Sequence, residues 1–336
     1  MFHSSGTKAW VVYSDSFDPW YNLALEEYLL RKVQRGQVIL YLWQNKDTVV
    51  IGRNQNPWKE CRCRQLEEEG GKLARRLSGG GAVFHDTGNL NFTFVVDRAL
   101  YDLDRQLGVI LDAVRKLGIE ARFTGRNDLT VDGRKFSGNA FYFSKTGAIH
   151  HGTLLIDCRL SKLQRYLQVS KEKIISKGIE SVRARVINLK EIRGDLTVDQ
   201  MKESLEASFA ESYGGGQTER LDIEDNEDIR SLNEKYASWE WRYGDTPRFD
   251  VVFEERFPWG GLELGLSLGN AVIQKSVIYS DAMDAELIQK LAASLQGVPF
   301  RLEDMDAALS GLSASAGEEE IIQEVKAWLR RKMENL

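Results

Sequence analysis

The chain contains 336 residues, 42% of them hydrophobic, with eight tryptophans and a formal net charge of −5. This length and composition predict a folded protein with a substantial core and two domains, and they exclude an intrinsically disordered chain. Acidic and basic residues are interspersed along the sequence, which disfavours nucleic acid as a partner.

Cysteine usage and the lengths of the apolar runs bear on where the protein works. Cys61, Cys63 and Cys158 make no disulfide framework and suit a reducing compartment. No apolar run approaches the ~20 residues of a membrane span, and the first residues lack the apolar segment of a signal peptide. We therefore expect a soluble cytoplasmic protein that has no membrane partner.

The first 70 residues are predicted to form a strand, a helix, a hairpin and a second helix. Asp18-Pro19 gives an N-cap followed by proline at the first helical position, and Asn56-Pro57 repeats this signal. The apolar segments 38–43 and 48–52 flank residues 45–47 and are expected to pair as a hairpin.

The centre of the chain alternates strands with turns around one helix, which is predicted at 103–117. The predicted strands are 72–77, 82–85, 89–96, 128–131, 135–143 and 148–157. Strands this dense, with few helices between them, predict an α+β domain around a mostly antiparallel or mixed sheet.

In the last third of the chain, the pattern of predicted helices and strands changes near Thr246. Before it, Thr197 and Gln200 have capping-box spacing and begin a helix that ends at Tyr213. The glycine and proline signals near Thr246 predict a domain boundary, which divides the chain into residues 1–245 and 246–336. The second domain is predicted to hold strands at 250–256, 261–266 and 271–278 and helices at 284–295 and 318–333.

Residues 75–86, Arg-Arg-Leu-Ser-Gly-Gly-Gly-Ala-Val-Phe-His-Asp, combine two arginines with three consecutive glycines. Glycine lets the backbone approach a ligand closely, and the planar fork of arginine matches phosphate or carboxylate oxygens. No Gly-Lys-Ser/Thr follows and no helix starts there, which excludes a P-loop and disfavours a Rossmann turn. From the residues alone, the stretch is either an anion-binding loop or a glycine-rich hairpin with solvated arginines.

Two further motifs follow in the chain. Gly125-Arg126-Asn127-Asp128 precedes residues 132–140, Asp-Gly-Arg-Lys-Phe-Ser-Gly-Asn-Ala, and residues 149–155 are Ile-His-His-Gly-Thr-Leu-Leu. Together with residues 75–86, and in this order, these motifs resemble the lipoate–protein ligase family over nearly the whole chain. The resemblance implies a biotin/lipoate protein ligase catalytic domain, a mixed sheet with helices similar to class II aminoacyl-tRNA synthetases, followed by a small α+β C-terminal accessory domain.

The resemblance also implies an activity. Members of this family use ATP, with Mg²⁺, to convert free lipoate to lipoyl-AMP and pyrophosphate. They then transfer the lipoyl group to a specific lysine of apo-lipoyl domains, in 2-oxoacid dehydrogenase complexes and in the glycine cleavage H protein. The expected partners are therefore lipoate, ATP and these lipoyl domains.

Lys135 is the residue most strongly expected to be catalytic. In similar ligases, the lysine at this place in the motif contacts the reacting carboxylate and the α-phosphate of the adenylate, which implies an electrostatic role. Without the resemblance, a surface lysine beside the turn Asp132-Gly133 would be the better interpretation.

The resemblance implies three further groups of site residues. The nucleotide is expected to contact Arg76, Gly81, Ala82, Val83, Phe84, Asn127, Asp128 and Lys135. Lipoate is expected to contact Ser78, Lys135 and His151. Lys177, Gly178 and Arg183 are expected in a lid that shields the hydrolysable adenylate. Asp128 is also a candidate Mg²⁺ ligand, although an Asn-Asp turn explains residues 127–128 equally well.

Strand alternation limits which neighbours can share a site. Of Arg75 and Arg76, one is expected to face solvent and Arg76 to face the site. His150 and His151 should point to opposite faces of a strand, so we do not expect them to bind one metal ion. His151, beside Gly152, is the histidine expected to line the pocket.

Several weaker signals remain. His85-Asp86 could be an acid–base pair, but a histidine hydrogen-bonded locally is the preferred interpretation. Cys61 and Cys63 are two residues apart on a predicted helix and should not share a face, so zinc is not expected. Large aromatic and apolar residues such as Trp43, Val50 and Phe84 are candidates for the acyl pocket, although such residues more often form plain core.

Three other functions stay open from the sequence. A cysteine-dependent lipoyl or octanoyl acyltransferase on the same fold would use Cys158 and no ATP, although Cys158 lacks a convincing nucleophile context. A biotin ligase shares the fold, and a non-catalytic protein could bind lipoate without releasing pyrophosphate. Phe141-Tyr142-Phe143 occupies the place where some of these ligases carry an arginine, so the choice between lipoate and octanoate also stays open.

Overall fold

The chain forms two compact units. The computed structural model describes residues 7–124, 128–168, 186–215, 218–244 and 249–334. The first unit comprises Met1–Ile51, Pro57–Arg76 and Ala82–Arg242, and the second comprises Gly52–Asn56, Leu77–Gly81 and Tyr243–Leu336. The predicted domain boundary between residues 245 and 246 lies outside the described residues.

The first unit is built on two sheets. Within the described residues its strands, β1 to β11, are Lys8–Tyr13, Gln37–Trp43, Thr48–Ile51, Lys72–Arg75, Val83–His85, Asn89–Asp97, Arg122–Thr124, Asp128–Val131, Arg134–Phe143, Gly147–Leu155 and Glu219–Arg220. The larger sheet is mixed and has the order β11-β1-β2-β6-β10-β9-β8-β7, and the smaller sheet has the order β4-β3-β5. The predicted α+β class with a mixed sheet is confirmed.

The helices of the first unit begin where local capping rules place them. Helices α1 to α8 are Pro19–Lys32, Pro57–Glu60, Cys63–Glu68, Leu103–Lys116, Leu160–Tyr166, Val198–Tyr213, Glu227–Ala237 and Trp239–Tyr243. The Asp18 carboxylate accepts a hydrogen bond from the backbone N–H of Trp20 at 2.9 Å, and Thr197 and Gln200 cap each other reciprocally. Both predicted helix starts are confirmed.

The predicted hairpin of residues 38–52 is wrong. Strand β2 pairs in parallel with β1 and antiparallel with β6, whereas β3 pairs with β4 and β5 in the smaller sheet. Both strands are buried along their whole length, so each needs a partner on either side. The short link at residues 45–47 therefore carries the chain from one sheet to the other.

The main core lies on one face of the larger sheet. Along β6 the side chains alternate, and Leu90, Phe92, Phe94 and Val96 pack into a cluster that includes the apolar sides of α4 and α6. Burying side chains of this size contributes about 1.5–3 kcal/mol each. The opposite face of β6 carries Asn89, Asn91 and Thr93, which are also buried.

The second unit has its own core. Strands β12 to β14, Val251–Phe257, Gly260–Gly269 and Val272–Ser280, form an antiparallel sheet, and helices α9 to α11 are Ala285–Leu295, Leu302–Ser310 and Ala316–Met333. Trp328 is fully buried and contacts Phe253 and Phe257. In the part of the chain that the structure describes, no helix is long and apolar enough to cross a membrane.

The segment Leu77–Gly81, which holds the three glycines, belongs to this second unit. The backbone N–H of Gly80 donates to the carbonyl oxygen of Ala282 at 2.9 Å, and a Cβ at Gly79 would overlap that same carbonyl. Glycine is therefore required at position 79 for this close approach of two backbones.

Candidate active site

A buried carboxylate lies against the polar face of the larger sheet. Glu26, on α1, is fully buried, and its Oε1 accepts a hydrogen bond from Thr93 Oγ1 at 2.7 Å. Trp43 Nε1 donates in turn to Thr93 Oγ1 at 3.0 Å, and His151 Nδ1 lies 2.7 Å from Glu26 Oε1. Thr93 and His151 therefore both contact the same oxygen of Glu26.

One oxygen of Glu26 is left without a hydrogen-bond donor in this cluster. The second oxygen of Glu26, Oε2, is buried and has no hydrogen-bond partner among the described residues. A buried carboxylate is retained only where opposite charge or donors compensate its loss of water. The sequence analysis missed Glu26, Asn91 and Thr93, because a glutamate in an apolar helix and polar residues alternating along a strand ordinarily indicate solvent exposure.

Arg76 supplies a buried positive charge in the same unit. Its Nη1 donates to the carbonyl oxygen of Val50 at 3.3 Å, and burial lowers the pKa of the guanidinium to about 10, with the charge of Glu26 opposing that shift. Arg76 therefore remains charged at neutral pH. A buried arginine of this kind is a candidate for binding an anion.

Arg75 is also buried, so the prediction that it faces solvent is wrong. Its Nε and Nη2 donate to the carbonyl oxygens of Trp241 and Arg242, both at 2.8 Å. Strand β4 ends at Arg75, and simple alternation does not extend beyond the last paired residue. Arg75 thereby holds the C-terminal end of the first unit.

His85 is neutral rather than half of an acid–base pair. Burial, reinforced by the charge of Arg76, lowers the pKa of its imidazole to about 3. Its Nδ1 lies 3.1 Å from the side-chain nitrogen of Asn45, and Asp86 instead accepts hydrogen bonds from the backbone N–H groups of Gly88 and Arg159. The preferred local hydrogen bond is not found among the described residues, because the partner Asn45 lies 40 residues away in the sequence.

Lys135 is positioned by a β-bulge between β8 and β9. Leu129 pairs with Ser137 and Thr130 pairs with Lys135, which leaves Phe136 as the extra residue. The bulge returns Lys135 to the sheet face of Gly138, and a Cβ built on Gly138 would lie 2.8 Å from Lys135 Nζ. Glycine at position 138 thus makes room for the ammonium group.

The ammonium of Lys135 pairs with Asp128. Lys135 Nζ lies 2.7 Å from Asp128 Oδ1, and both side chains are about one-third exposed. The pair is therefore accessible to a ligand, and solvent screens it. Strand β9 continues from Lys135 to Gly138, which pairs with the neighbouring strand β10 through a hydrogen bond from its N–H to Thr153 Oγ1 at 3.3 Å.

The remaining predicted site residues fall in three places. Val83 and Phe84, on β5, pair with Val50 and Val49 of β3, and Phe84 contacts the ring of Tyr166. Ser78 and Gly81 belong to the second unit, and Ala82 begins the next segment of the first. Four predicted site residues lie outside the described part of the chain: Asn127, Lys177, Gly178 and Arg183.

His150 and His151 point to opposite faces, as predicted. His150 is fully buried in the core, and its two ring nitrogens lie 2.9 Å and 2.8 Å from the side-chain amides of Gln106 and Asn139, of which the neutral ring can donate to only one. Burial lowers its pKa to about 3. The described residues contain no group of three or more His, Cys, Asp or Glu side chains that could bind a metal ion.

Cys158 does not have the environment of a nucleophile. Burial and the nearby carboxylate of Asp86 raise the pKa of its thiol well above the ordinary value. Because the thiolate is the reactive form, Cys158 is inert at neutral pH. Cys61, whose thiol pKa is raised through its hydrogen bond to Cys63 and by burial, is likewise a buried free thiol.

Comparison with known proteins gives two family matches and a set of similar structures. A model of the lipoyl protein ligase A/B catalytic domain matches residues 18–210, and a model of the bacterial lipoate protein ligase C-terminus matches residues 246–329. The crystal structure of LipL1 from P. falciparum in complex with lipoate is 31% identical with a TM-score of 0.85, over 96% of this chain and 99% of that chain.

Two further structures cover the larger part of the chain. A bi-partite lipoate protein ligase from Thermoplasma acidophilum, analysed with its E2 lipoyl domain, is 27% identical with a TM-score of 0.62, over 73% of this chain and 99% of that chain. A lipoate-protein ligase A bound with ATP is 25% identical with a TM-score of 0.60, over 71% and 99%. The first family match includes every residue predicted above to contact nucleotide or lipoate.

Proposed function

The chain belongs to the lipoate–protein ligase family, and from that membership we propose that it is an ATP-dependent, AMP-forming lipoate–protein ligase. Its substrates are free lipoate, ATP and the apo-lipoyl domains of 2-oxoacid dehydrogenase complexes and of the H protein. The observation that carries the proposal is the ammonium of Lys135, which lies over Gly138 and beside Asp128, on a sheet whose same face contacts the buried side chain of Glu26. The relative that binds ATP supports the choice of nucleotide.

The first step of this reaction joins two anions. A carboxylate oxygen of lipoate attacks the α-phosphorus of ATP, a C–O–P bond forms, and pyrophosphate leaves with the electrons of the broken P–O bond. Fixed positive charge close to both anions lowers the barrier, because it stabilises charge that moves between them. Lys135 provides this charge at the reacting carboxylate and α-phosphate.

The second step forms the amide. The amine of the acceptor lysine attacks the acyl carbon, the C–O bond to AMP breaks, AMP leaves with that electron pair, and the amine proton passes to water. Arg76, Val83 and Phe84 are assigned to the nucleotide, together with Gly81, Ala82, Asn127 and Asp128. Ser78 and His151 are assigned to lipoate, and Lys177, Gly178 and Arg183 to the lid.

Magnesium fits the donor set on the nucleotide side. Mg²⁺ is ordinarily held by one or two carboxylates together with substrate phosphates, and Asp128 places one partly exposed carboxylate beside Lys135. Asp128 would hold the ion, which supplies charge neutralisation at the phosphates. Asp128 also pairs with Lys135, whose Nζ lies 2.7 Å from its Oδ1.

Two further assignments follow from the proposed activity. We assign residues 1–245 to the catalytic domain and residues 246–336 to an accessory domain of the ligase. We also place the enzyme in the cytoplasm, because Cys61, Cys63 and Cys158 are free thiols.

The proposal is tested by mixing the protein with lipoate, Mg-ATP and an apo-lipoyl domain and weighing the domain by mass spectrometry. A lipoyl-sized gain in mass that requires ATP is expected, and free biotin in place of lipoate is expected to give none. Cys158→Ala should retain this activity, because the Cys158 thiol is buried and protonated. A gain that appears without ATP, from an acylated carrier, and disappears in Cys158→Ala would instead identify an acyltransferase.

Arg76→Ala is expected to weaken ATP binding by about 1.5–3 kcal/mol, the value of a hydrogen bond to a charged group. Isothermal titration of the folded variant with Mg-ATP measures this change. The exposed Arg62, which donates to the carbonyl oxygen of Arg165, provides the control as Arg62→Ala. An ATP dissociation constant equal to that of the wild type would place Arg76 outside the nucleotide site.

A further inference from the structure

Asn91 carries a buried hydrogen-bond donor that the protein does not use. The residue is only 1% exposed, and its Oδ1 accepts a hydrogen bond from Asn89 Nδ2 at 2.8 Å. That bond turns the Nδ2 group of Asn91 the other way, where it has no partner in the described part of the chain. Buried amide groups are nearly always paired, so this donor calls for an acceptor oxygen from a ligand.

The position of Asn91 on the sheet indicates which ligand. Asn91 pairs with Trp43 of β2 on one side and with Thr153 of β10 on the other. Side chains of directly paired residues lie on the same face, so Asn91 shares its face with Trp43, Thr153 and the neighbouring Thr93. This is the face on which Glu26 contacts Thr93 and His151.

Contacts between residues on neighbouring strands connect Asn91, through Thr153, to Gly138 and Lys135. Gly138 N–H donates to Thr153 Oγ1, and the ammonium of Lys135 lies over Gly138. Neighbouring strands are about 4.8 Å apart, so the backbones at Asn91 and Gly138 are separated by roughly 10 Å. The Asn91 amide and the Lys135 ammonium therefore lie on the same face of the sheet, two strands apart, which is a spacing that one small anionic group can bridge.

We propose that Asn91 Nδ2 donates a hydrogen bond to the substrate carboxyl oxygen that remains as the carbonyl oxygen of the acyl-adenylate. This inference rests on the proposed function and adds a catalytic residue to it. When the acceptor lysine attacks, negative charge develops on that oxygen, and a fixed buried donor stabilises it. The amide keeps its protons throughout, and Lys135 is left to neutralise the α-phosphate side of the mixed anhydride.

The variants Asn91→Ala and Asn91→Asp test this role, with Asn89→Ala as the matched control. Asn91→Asp keeps the size of the side chain but replaces the donor with an acceptor, whereas Asn89→Ala keeps the Asn91 donor and removes only the hydrogen bond that orients it. The rates to compare are single-turnover transfer from preformed lipoyl-AMP to a lipoyl domain and lipoate-dependent pyrophosphate exchange. We expect both Asn91 variants to slow transfer by about 10²-fold or more and Asn89→Ala to slow it by less than about 10-fold.

A crystal structure of the wild type with a non-hydrolysable acyl-sulfamate analogue of the adenylate gives an independent answer, whatever the stability of the variants. Asn91 Nδ2 should lie about 2.7–3.2 Å from the acyl carbonyl oxygen. A separation beyond hydrogen-bond distance, or an Asn91→Asp enzyme that transfers as fast as the wild type, would overturn the role of Asn91 and leave the ligase proposal intact. Absence of pyrophosphate exchange in the wild type would overturn both.

Discussion

Replacing Lys135 by alanine is expected to slow lipoyl-AMP formation by about 10²–10³-fold, the usual loss when one preorganised electrostatic contact to the reacting group is removed. Lys135 Nζ lies over Gly138, on the sheet face to which the bulge at Phe136 returns this side chain, and 2.7 Å from Asp128 Oδ1. The side chain is about one-third exposed and contributes little to the core, so the variant should fold normally. Lipoate-dependent exchange of pyrophosphate into ATP measures the first step alone.

Lys190→Ala is the matched control for this prediction. Lys190 also pairs with an aspartate, Asp157, and is similarly exposed, but it lies outside the polar face described above. Its loss should leave the exchange rate within about threefold of the wild type, since exposed ion pairs are worth little. A Lys135→Ala enzyme that exchanges pyrophosphate at nearly the wild-type rate would remove Lys135 from the chemistry.

The sequence predicts best those features that depend on neighbouring residues. The caps at Asp18 and Thr197 require only a side chain and a backbone N–H two or three residues away, and both are present. The opposite directions of His150 and His151 follow from the alternation of a single strand. The motif around Lys135 identified the residue, but not the bulge that orients it.

Features that depend on distant pairing were not predictable in this way. The segments 38–43 and 48–52 have the pattern of a hairpin. They lie in different sheets because each pairs with a strand farther along the chain, β2 with β6 and β3 with β5. Helices Leu160–Tyr166 and Leu302–Ser310 lack a side-chain cap and were not predicted. Glu26 contacts His151, 125 residues away, and no local pattern indicates that contact.

The two fully buried neutral histidines make stability sensitive to mild acid. We expect the free energy of unfolding to fall by up to about 2.7 kcal/mol per pH unit as the pH decreases from 6.5 to 5, or about 1.4 for each histidine. Burial lowers the pKa of both His85 and His150 to about 3 in the folded protein, from an ordinary value of 6.5. The unfolded chain therefore binds more protons than the folded chain throughout this window, which makes stability rise with pH.

His150→Leu separates the two contributions. The variant loses the contacts of the imidazole with the amides of Gln106 and Asn139 and should be less stable at every pH, because polar contacts in the core are removed. The slope of its unfolding free energy against pH should nevertheless be smaller than that of the wild type by about 1.4 kcal/mol per pH unit, because one buried imidazole has been removed. Urea unfolding at pH 6.5, 6.0, 5.5 and 5.0, followed by a probe in the first unit, gives both slopes.

NMR resonances of the imidazole rings in the folded protein test directly whether His85 and His150 cause the pH dependence of stability. Those of His85 and His150 should keep the shifts of the neutral form down to pH 5, since protonation would place an uncompensated charge in the core at His150 and beside Arg76 at His85. Titration of either resonance near pH 6.5, or equal slopes for the wild type and His150→Leu, would show that the proton uptake lies elsewhere.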